Sequence, residues 1–281
     1  MINKGNLLVL ILVILTVESC SIKKNIIYKE ENLIPDLLNS KNYTLVWNDE
    51  FNISGKPDTS KWTYDIGCNG WGNNELQNYT SDEKNVRVVN GNLIIEAIKS
   101  IDSTCAYTSA RIKTKNKGNW LFGRVEVKAK IPKGRGTWPA IWMLPTGNKY
   151  GKWPSSGEID IMEHVGYQPD IIHGTAHTES FNHTQKTQVG KELFVSTATS
   201  EFHIYAIEWD EQKIDFYIDD NKYFTFFNQN KSYREWPFDK KFYIILNLAI
   251  GGNLGGVKGV DESMFPVRFI IDYVRVYQHI K

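Results

Sequence analysis

The feature that most limits what this chain can fold into is a two-residue hydrophobic alternation that recurs along most of its length. Arg124-Val125-Glu126-Val127-Lys128-Ala129-Lys130-Ile131 puts every apolar side chain on one face of an extended segment. Ile204 to Trp209 and Phe269 to Tyr277 alternate in the same way. Lys213 to Ile218 and Lys222 to Phe227 flank the polar turn Asp219-Asp220-Asn221 and predict a hairpin. Phe242 to Ile250 is almost continuously apolar, which suits a strand covered on both faces. Outside the N-terminal segment no convincing amphipathic helix longer than three turns is present; Leu33 to Leu38 is a candidate for a short one. Many strands separated by Gly, Pro, Asn and Asp turns predict an all-β sandwich or barrel. No Pro/Ser-rich linker and no internal repeat interrupts residues 43–281, so one domain is expected there.

Composition removes several function classes. The 281 residues carry 33 Lys+Arg against 32 Asp+Glu, a net charge of +1, with 41% hydrophobic residues. That balance excludes a disordered chain, a collagen and a multi-pass membrane protein. It also lacks the basic surplus that binding a phosphate backbone needs, so nucleic acid is not expected as the main partner. The 9 Trp, 14 Tyr and 13 Phe exceed what a core of this size usually requires, and they suit either an aromatic core or a ligand cleft.

The N-terminus is expected to be an address. Leu7 to Val17 is an apolar run too short to span a bilayer comfortably, preceded by Lys4, and it matches the h-region of a secretory signal. Cys20 follows it directly, as at a bacterial lipoprotein processing site, although Glu18 stands where small residues are preferred. Residues 1–19 would then be a signal peptide, Cys20 the lipidated first residue, and 20–42 a polar tether. The protein would sit in the cell envelope, at the outer membrane or in the periplasm, touching membrane only through its anchor. A plain secretory signal is the alternative. With Cys20 assigned to lipid, Cys68 and Cys105 remain, and an exported protein can bridge them. No cysteine pair or Cys/His set has zinc spacing, and His173, His177 and His183 do not form an HExxH frame.

The chemistry is concentrated in Gly157-Glu158-Ile159-Asp160-Ile161-Met162-Glu163-His164. On a regular strand Glu158 and Asp160 share one face, while Glu163, five positions on from Glu158, points the other way. One extra residue, a β-bulge at Ile161-Met162, would return Glu163 to the acidic face. The two glutamate Cα atoms would then lie roughly 13 Å apart, four strand steps, and their side chains could converge toward the ~5–5.5 Å of a retaining glycosidase. Three carboxylates on one face repel one another and raise at least one pKa. An enzyme that needs an ionised nucleophile beside a protonated acid gains from that cost. A solvated acidic face or a calcium site is the plainer alternative. Calcium would want more oxygen ligands, usually from a loop, and the intervening Ile, Ile and Met argue for a buried strand.

The heptad Gly157 to Glu163 resembles the ExDxxE signature of glycoside hydrolase family sixteen in its bulged, laminarinase-like form. Gly70-Trp71-Gly72-Asn73-Asn74-Glu75-Leu76-Gln77, Thr108-Ser109-Ala110-Arg111-Ile112 and Gly136-Thr137-Trp138-Pro139-Ala140-Ile141-Trp142-Met143-Leu144-Pro145 are also similar to that family. So are Gly174 to Glu179 and Leu246 to Asn253, and the motifs run in consistent order over roughly residues 43–278. The resemblance implies a β-jelly roll of two antiparallel sheets with a concave cleft, and a retaining endo-β-1,3-glucanase that needs no cofactor for its chemistry. By the family pattern Glu158 would be the nucleophile and Glu163 the acid, then the base. Asp160 would sit between them. Trp138 and Trp153 are expected to stack on sugar rings, with Trp71, Asn73, Glu75, Arg111 and His177 as further substrate contacts. Trp142 and Trp209 are expected in the core. Leu254 departs from the family, which often carries Trp there. A structural calcium is implied at Glu50, the Gly91 main chain and Asp272. The expected partner is a β-glucan, met by a monomer. Mixed-linkage glucan, agar or carrageenan would suit the same catalytic strand. A non-catalytic glucan-binding module is disfavoured because all three acids are present.

Overall fold

A computed structural model describes residues 43–101 and 104–279. The expected signal peptide, the lipidation expected at Cys20, the expected tether and the candidate short helix at Leu33 to Leu38 fall outside the described residues. Within these, strands β1 to β17 run in chain order as Tyr43–Asp49, Thr63–Asp65, Gln77–Tyr79, Val86–Val89, Asn92–Lys99, Tyr107–Ser109, Arg111–Lys113, Gly123–Lys130, Thr137–Pro145, Glu158–His164, Ile171–His177, Val189–Phe194, His203–Trp209, Lys213–Ile218, Asn221–Phe227, Phe242–Ile250 and Val267–His279. The helical elements described are two single 3₁₀ turns, Gly70–Gly72 and Glu262–Met264.

The strands form two sheets. Seven pair in the order β12-β11-β10-β9-β16-β7-β2, and ten make up the other sheet, with the path β15-β14-β13-β8-β17-β5-β6-β3 and β1 and β4 beside β17 and β5. β3 pairs with β6 in parallel, and the other pairings among β2 to β17 are antiparallel. This is the sandwich that the alternation and the turns predict, in the jelly-roll form that the family resemblance implies. One apolar layer separates the sheets: Val125, Val127 and Ala129 of β8 join Ile141 and Met143 of β9 and Ile159 of β10 in a single core cluster. Burying such side chains is worth about 1.5–3 kcal/mol each for the larger ones and is what drives the two faces together.

Two strands show how local sequence decides position. All nine residues of β16 are buried, as its unbroken apolar run requires, because β9 and β7 pair on its two edges while its faces meet the core and the cleft floor. In β8 the apolar set is buried as expected, yet Arg124 and Glu126 on the opposite face are also buried. The Arg124 guanidinium donates to Glu126 at 2.9 Å, and Tyr277 donates its hydroxyl to the same carboxylate at 3.2 Å. The first two polar positions of that pattern, Arg124 and Glu126, are therefore an internal ion pair, while Lys128 and Lys130 stay partly exposed.

Cys68 and Cys105 are bridged, with Cα atoms 6.0 Å apart. The bridge ties the loop before Gly70–Gly72 to the segment before β6.

Candidate active site

The site is built on β10. On β11, Glu158 faces His177 and Glu163 faces His173, so five steps along β10 match four along β11. On β9, Asp160 pairs with Trp142 and Met162 with the very next residue back, Ile141. The surplus residue thus falls at Ile161-Met162, where the alternation requires it. Ile159, Ile161 and Met162 are all buried in the core cluster, while Glu158, Asp160 and Glu163 line a cleft of about 450 Å³. Gly157 sets the start of the strand. Its φ is +88°, and a Cβ there would come within 2.8 Å of Pro237 and 3.0 Å of Phe238, so only glycine fits.

Neighbouring strands supply the rest of the cleft. Trp138, Ala140, Trp142 and Leu144, every second residue of β9, line it. Asn247 and Ala249 do the same from β16, Arg111 comes from β7, and Trp71, Asn73 and Glu75 from the Gly70–Gly72 turn and the residues after it. Trp153 reaches in from the β9–β10 loop, and His183 and Thr184 from the β11–β12 loop.

The acids are positioned by specific partners. The Trp138 indole N–H donates to Glu163 Oε1 at 2.9 Å. His177 Nε2 lies 3.3 Å from Asp160 Oδ2 and 3.9 Å from Glu158 Oε1. Burial, then repulsion from Asp160, pushes Glu158 well above the usual carboxylate range; His177 and Arg111 pull it back, and Glu163 pushes it further up. Asp160 is pushed up by burial and by Glu163. The mutual repulsion that the sequence predicts therefore acts on Glu158 and Asp160. The cluster holds protons at a pH where three separate carboxylates would hold none.

Arg111 lies between two indoles, its guanidinium carbon 5.0 Å from the Trp71 ring and 4.7 Å from that of Trp142. Its Nε is 3.0 Å from Asp65 Oδ2. Glu75 is buried and accepts from Gln77 at 2.7 Å and from Tyr79 at 3.1 Å, so much of its bonding capacity is spent inside the protein.

A sequence profile of the glycosyl hydrolases family 16 matches residues 73–274. The chain belongs to glycosyl hydrolase family 16. It is 50% identical over 247 residues to the beta-glucanase of Rhodothermus marinus, covering 85% of this chain and 86% of that protein. It is 40% identical over 238 residues to a glucan endo-1,3-beta-glucosidase of Cryptopygus antarcticus, covering 79% of this chain and 85% of its relative. The solved laminarinase of Rhodothermus marinus superposes with a TM-score of 0.83 at 49% identity, over 85% of this chain and 98% of that one.

Within this family 16 fold, the residues that the sequence singled out are distributed unevenly. Trp71, Asn73, Glu75, Arg111, Trp138 and Trp153 all line the cleft. His177 is not among the lining residues; it is 6% exposed and meets the acids sideways, from the adjoining strand β11, packed against Trp153 and His183. Trp142 corrects the reading. It was expected in the core, yet it lines the cleft and donates from its indole to Asn247 Oδ1 at 2.7 Å. The residues facing the core on β9 are Ile141 and Met143, both fully buried. Trp209 is in the core as expected, donating to the Phe238 carbonyl at 2.9 Å. Asn247, His183 and Thr184 were missed. Asn247 had a signal, being the lone polar residue in the apolar run of β16. Leu254 does not line the cleft.

The side chains expected to hold calcium do not fit a cation as they stand. Both carboxylate oxygens of Glu50 accept from Arg275 at 2.9 Å, and Asp272 pairs with Lys128 at 2.9 Å. Two protein cations already neutralise them. Among the described residues, the set with metal-ligand spacing is Glu158, Asp160 and His177, whose ligand atoms lie within 4.8 Å of one another. These groups belong to the acidic cluster.

Proposed function

We propose that this protein is a retaining endo-β-1,3-glucanase acting on laminarin-like polysaccharide. The observation that carries the reading is the bulge in β10, which brings Glu158 and Glu163 to the same face in a cleft lined by four tryptophans. The linkage comes from the relatives: one is named for endo-1,3 cleavage of glucan, and another is a laminarinase.

The chemistry is a double displacement. Glu158 attacks the anomeric carbon while Glu163 gives its proton to the glycosidic oxygen, and the leaving chain departs. Glu158 is then joined to the sugar by an ester bond. Glu163, now a carboxylate, takes a proton from water as that water attacks the same carbon, and Glu158 leaves. Two inversions give retention. Asp160 stands between the two glutamates on the same face of β10, and the Trp138 N–H keeps Glu163 aimed at the leaving oxygen. Indole faces suit the C–H faces of glucose rings, and Arg111 offers N–H donors to hydroxyls.

Every group in this scheme comes from one chain, which supports a monomer as the working unit. No calcium ion enters it. The apolar run Leu7–Val17 followed by Cys20 supports export and a lipid anchor at the cell envelope. Cys20→Ala is expected to release the protein from membranes, and unchanged retention would defeat the anchor.

The deciding experiment compares products from laminarin, lichenan, agarose and carrageenan. Laminarin should give short oligosaccharides with retained anomeric configuration, and Glu158→Gln should lower turnover by roughly three orders of magnitude or more while leaving binding intact. Inverted products, or normal turnover by that variant, would sink the assignment.

A further inference from the structure

A second cavity, of about 380 Å³, is lined by residues of the β13–β14 turn and the β9–β10 and β15–β16 loops. It shares no lining residue with the catalytic cleft. Tyr150 and Tyr233 stack in it with ring centroids 4.7 Å apart and planes 6° apart. Tyr150 is held firmly: its hydroxyl meets the Asp239 carboxylate at 2.9 and 3.0 Å, and the Lys240 ammonium lies 5.2 Å from its ring. Tyr233, propped on that ring, stays 38% exposed. Trp236 forms a further wall.

Around these rings the side chains of Glu211, Gln212 and Asn230 line the cavity, and among the described residues none has a hydrogen-bond or ion-pair partner. A rigid, exposed phenol ring beside unspent amide and carboxylate groups is the chemistry that recognises a sugar: an apolar C–H face to stack and hydroxyls to receive hydrogen bonds. A protein or peptide partner is less well matched, because no exposed aliphatic side chain lines the cavity.

We propose that the Tyr150–Tyr233 cavity is a second, non-catalytic binding site for the same β-glucan. The inference rests on the proposed function for its ligand. The loop that presents Tyr150 to this cavity also presents Trp153 to the cleft, so one segment serves both. A site of this kind holds a polymer near the enzyme between cleavages and raises the effective concentration of chain at the cleft. Short oligosaccharides, too small to occupy both sites, gain nothing from it.

The test uses Tyr233→Ala and, separately, Gln212→Ala, neither of which touches the acids. Affinity electrophoresis in gels containing laminarin is run with Glu158→Gln as the background, so that the polymer is not consumed. Loss of one stacking ring should weaken retention roughly three- to tenfold. In the active background the same changes should raise KM for laminarin and leave kcat and KM for a laminari-trisaccharide unchanged. Retention of the Glu158→Gln protein, unaltered in both variants, would overturn the second site while leaving the proposed function standing. Absence of any cleavage or retention by the unmodified protein would overturn both. Equal losses on polymer and trisaccharide would also overturn it, because they would mean that the substitutions disturb the cleft itself.

Discussion

The residue with the clearest consequence outside the chemistry is His164, the last residue of β10. It is fully buried, and neither ring nitrogen has a hydrogen-bond partner among the described residues. Burial, helped by nearby His173 and opposed by Asp170, lowers its pKa from 6.5 to about 4. The unfolded chain therefore takes up this proton at a higher pH than the folded one does. The stability due to neutral His164 is complete above about pH 6.5, declines as pH falls below that, and is fully lost once pH passes about 4. The total is ~3 kcal/mol from the size of the shift. Urea midpoints measured from pH 7.5 down to 4.5 should fall more steeply for the unmodified protein than for His164→Leu, and parallel curves would contradict this account. Asp160 makes a separate prediction about rate. Its charge helps to raise Glu158, whose ionised form is the nucleophile. Asp160→Asn should move the acid limb of kcat/KM toward lower pH, whatever it does to the maximum; an unmoved limb would show that Asp160 already carries no charge in the free enzyme.

At the scale of the element, β10 and β9 show what the sequence could and could not disclose. The acidic face of β10 was legible because an odd spacing between Glu158 and Glu163 admits one simple repair, a single surplus residue. The cleft face of β9 was equally open to the period-2 rule: Trp138 and Trp142 are four apart and must share a face. Trp142 was misjudged because its neighbours Ile141 and Met143 are apolar, and local hydrophobicity outweighed position. Asn247 shows the same bias in β16. The bulge yields a paired prediction. Deleting Met162 leaves Glu158-Ile-Asp-Ile-Glu, a regular alternation that keeps Glu163 opposite His173 and on the acidic face. That variant should retain measurable hydrolysis while losing roughly 2–5 kcal/mol for a buried side chain. Inserting one alanine after Met162 instead makes the spacing six: on a regular strand Glu163 returns to the acidic face but about two steps, roughly 7 Å, farther from Glu158, and with the bulge kept it turns into the core, so hydrolysis should be abolished either way. A folded deletion variant with no activity, beside an insertion variant that cleaves, would reverse the assignment of faces.

At the scale of the molecule, the sandwich follows from strand patterns, but the cleft is assembled from segments far apart in sequence, and no pattern states their distances. Trp71, 87 residues before Glu158, is the clearest case. It lies in a single 3₁₀ turn with φ of 50° at Trp71 itself, flanked by Gly70 and Gly72 at 71° and 78°. Such a turn has little to hold it except its contacts: the indole N–H donates to the Gly67 carbonyl at 3.1 Å, and Arg111 packs on its ring. The Cys68–Cys105 bridge, three residues from Trp71, closes a loop of 37 residues. A constraint of that length restricts the unfolded chain by ~4 kcal/mol in the chain-entropy account. Replacing both cysteines with alanine should therefore lower the melting temperature by several degrees and loosen the turn that carries Trp71. The effect on catalysis should be selective. Glu158, Asp160 and Glu163 stand on β10, which the bridge does not touch, so kcat should change little, whereas KM for laminarin should rise as one wall of the cleft loses its fixed position. A lower kcat at unchanged KM would mean that the bridge supports the acids through the sheet, and an unchanged melting temperature and KM together would mean that it supports neither.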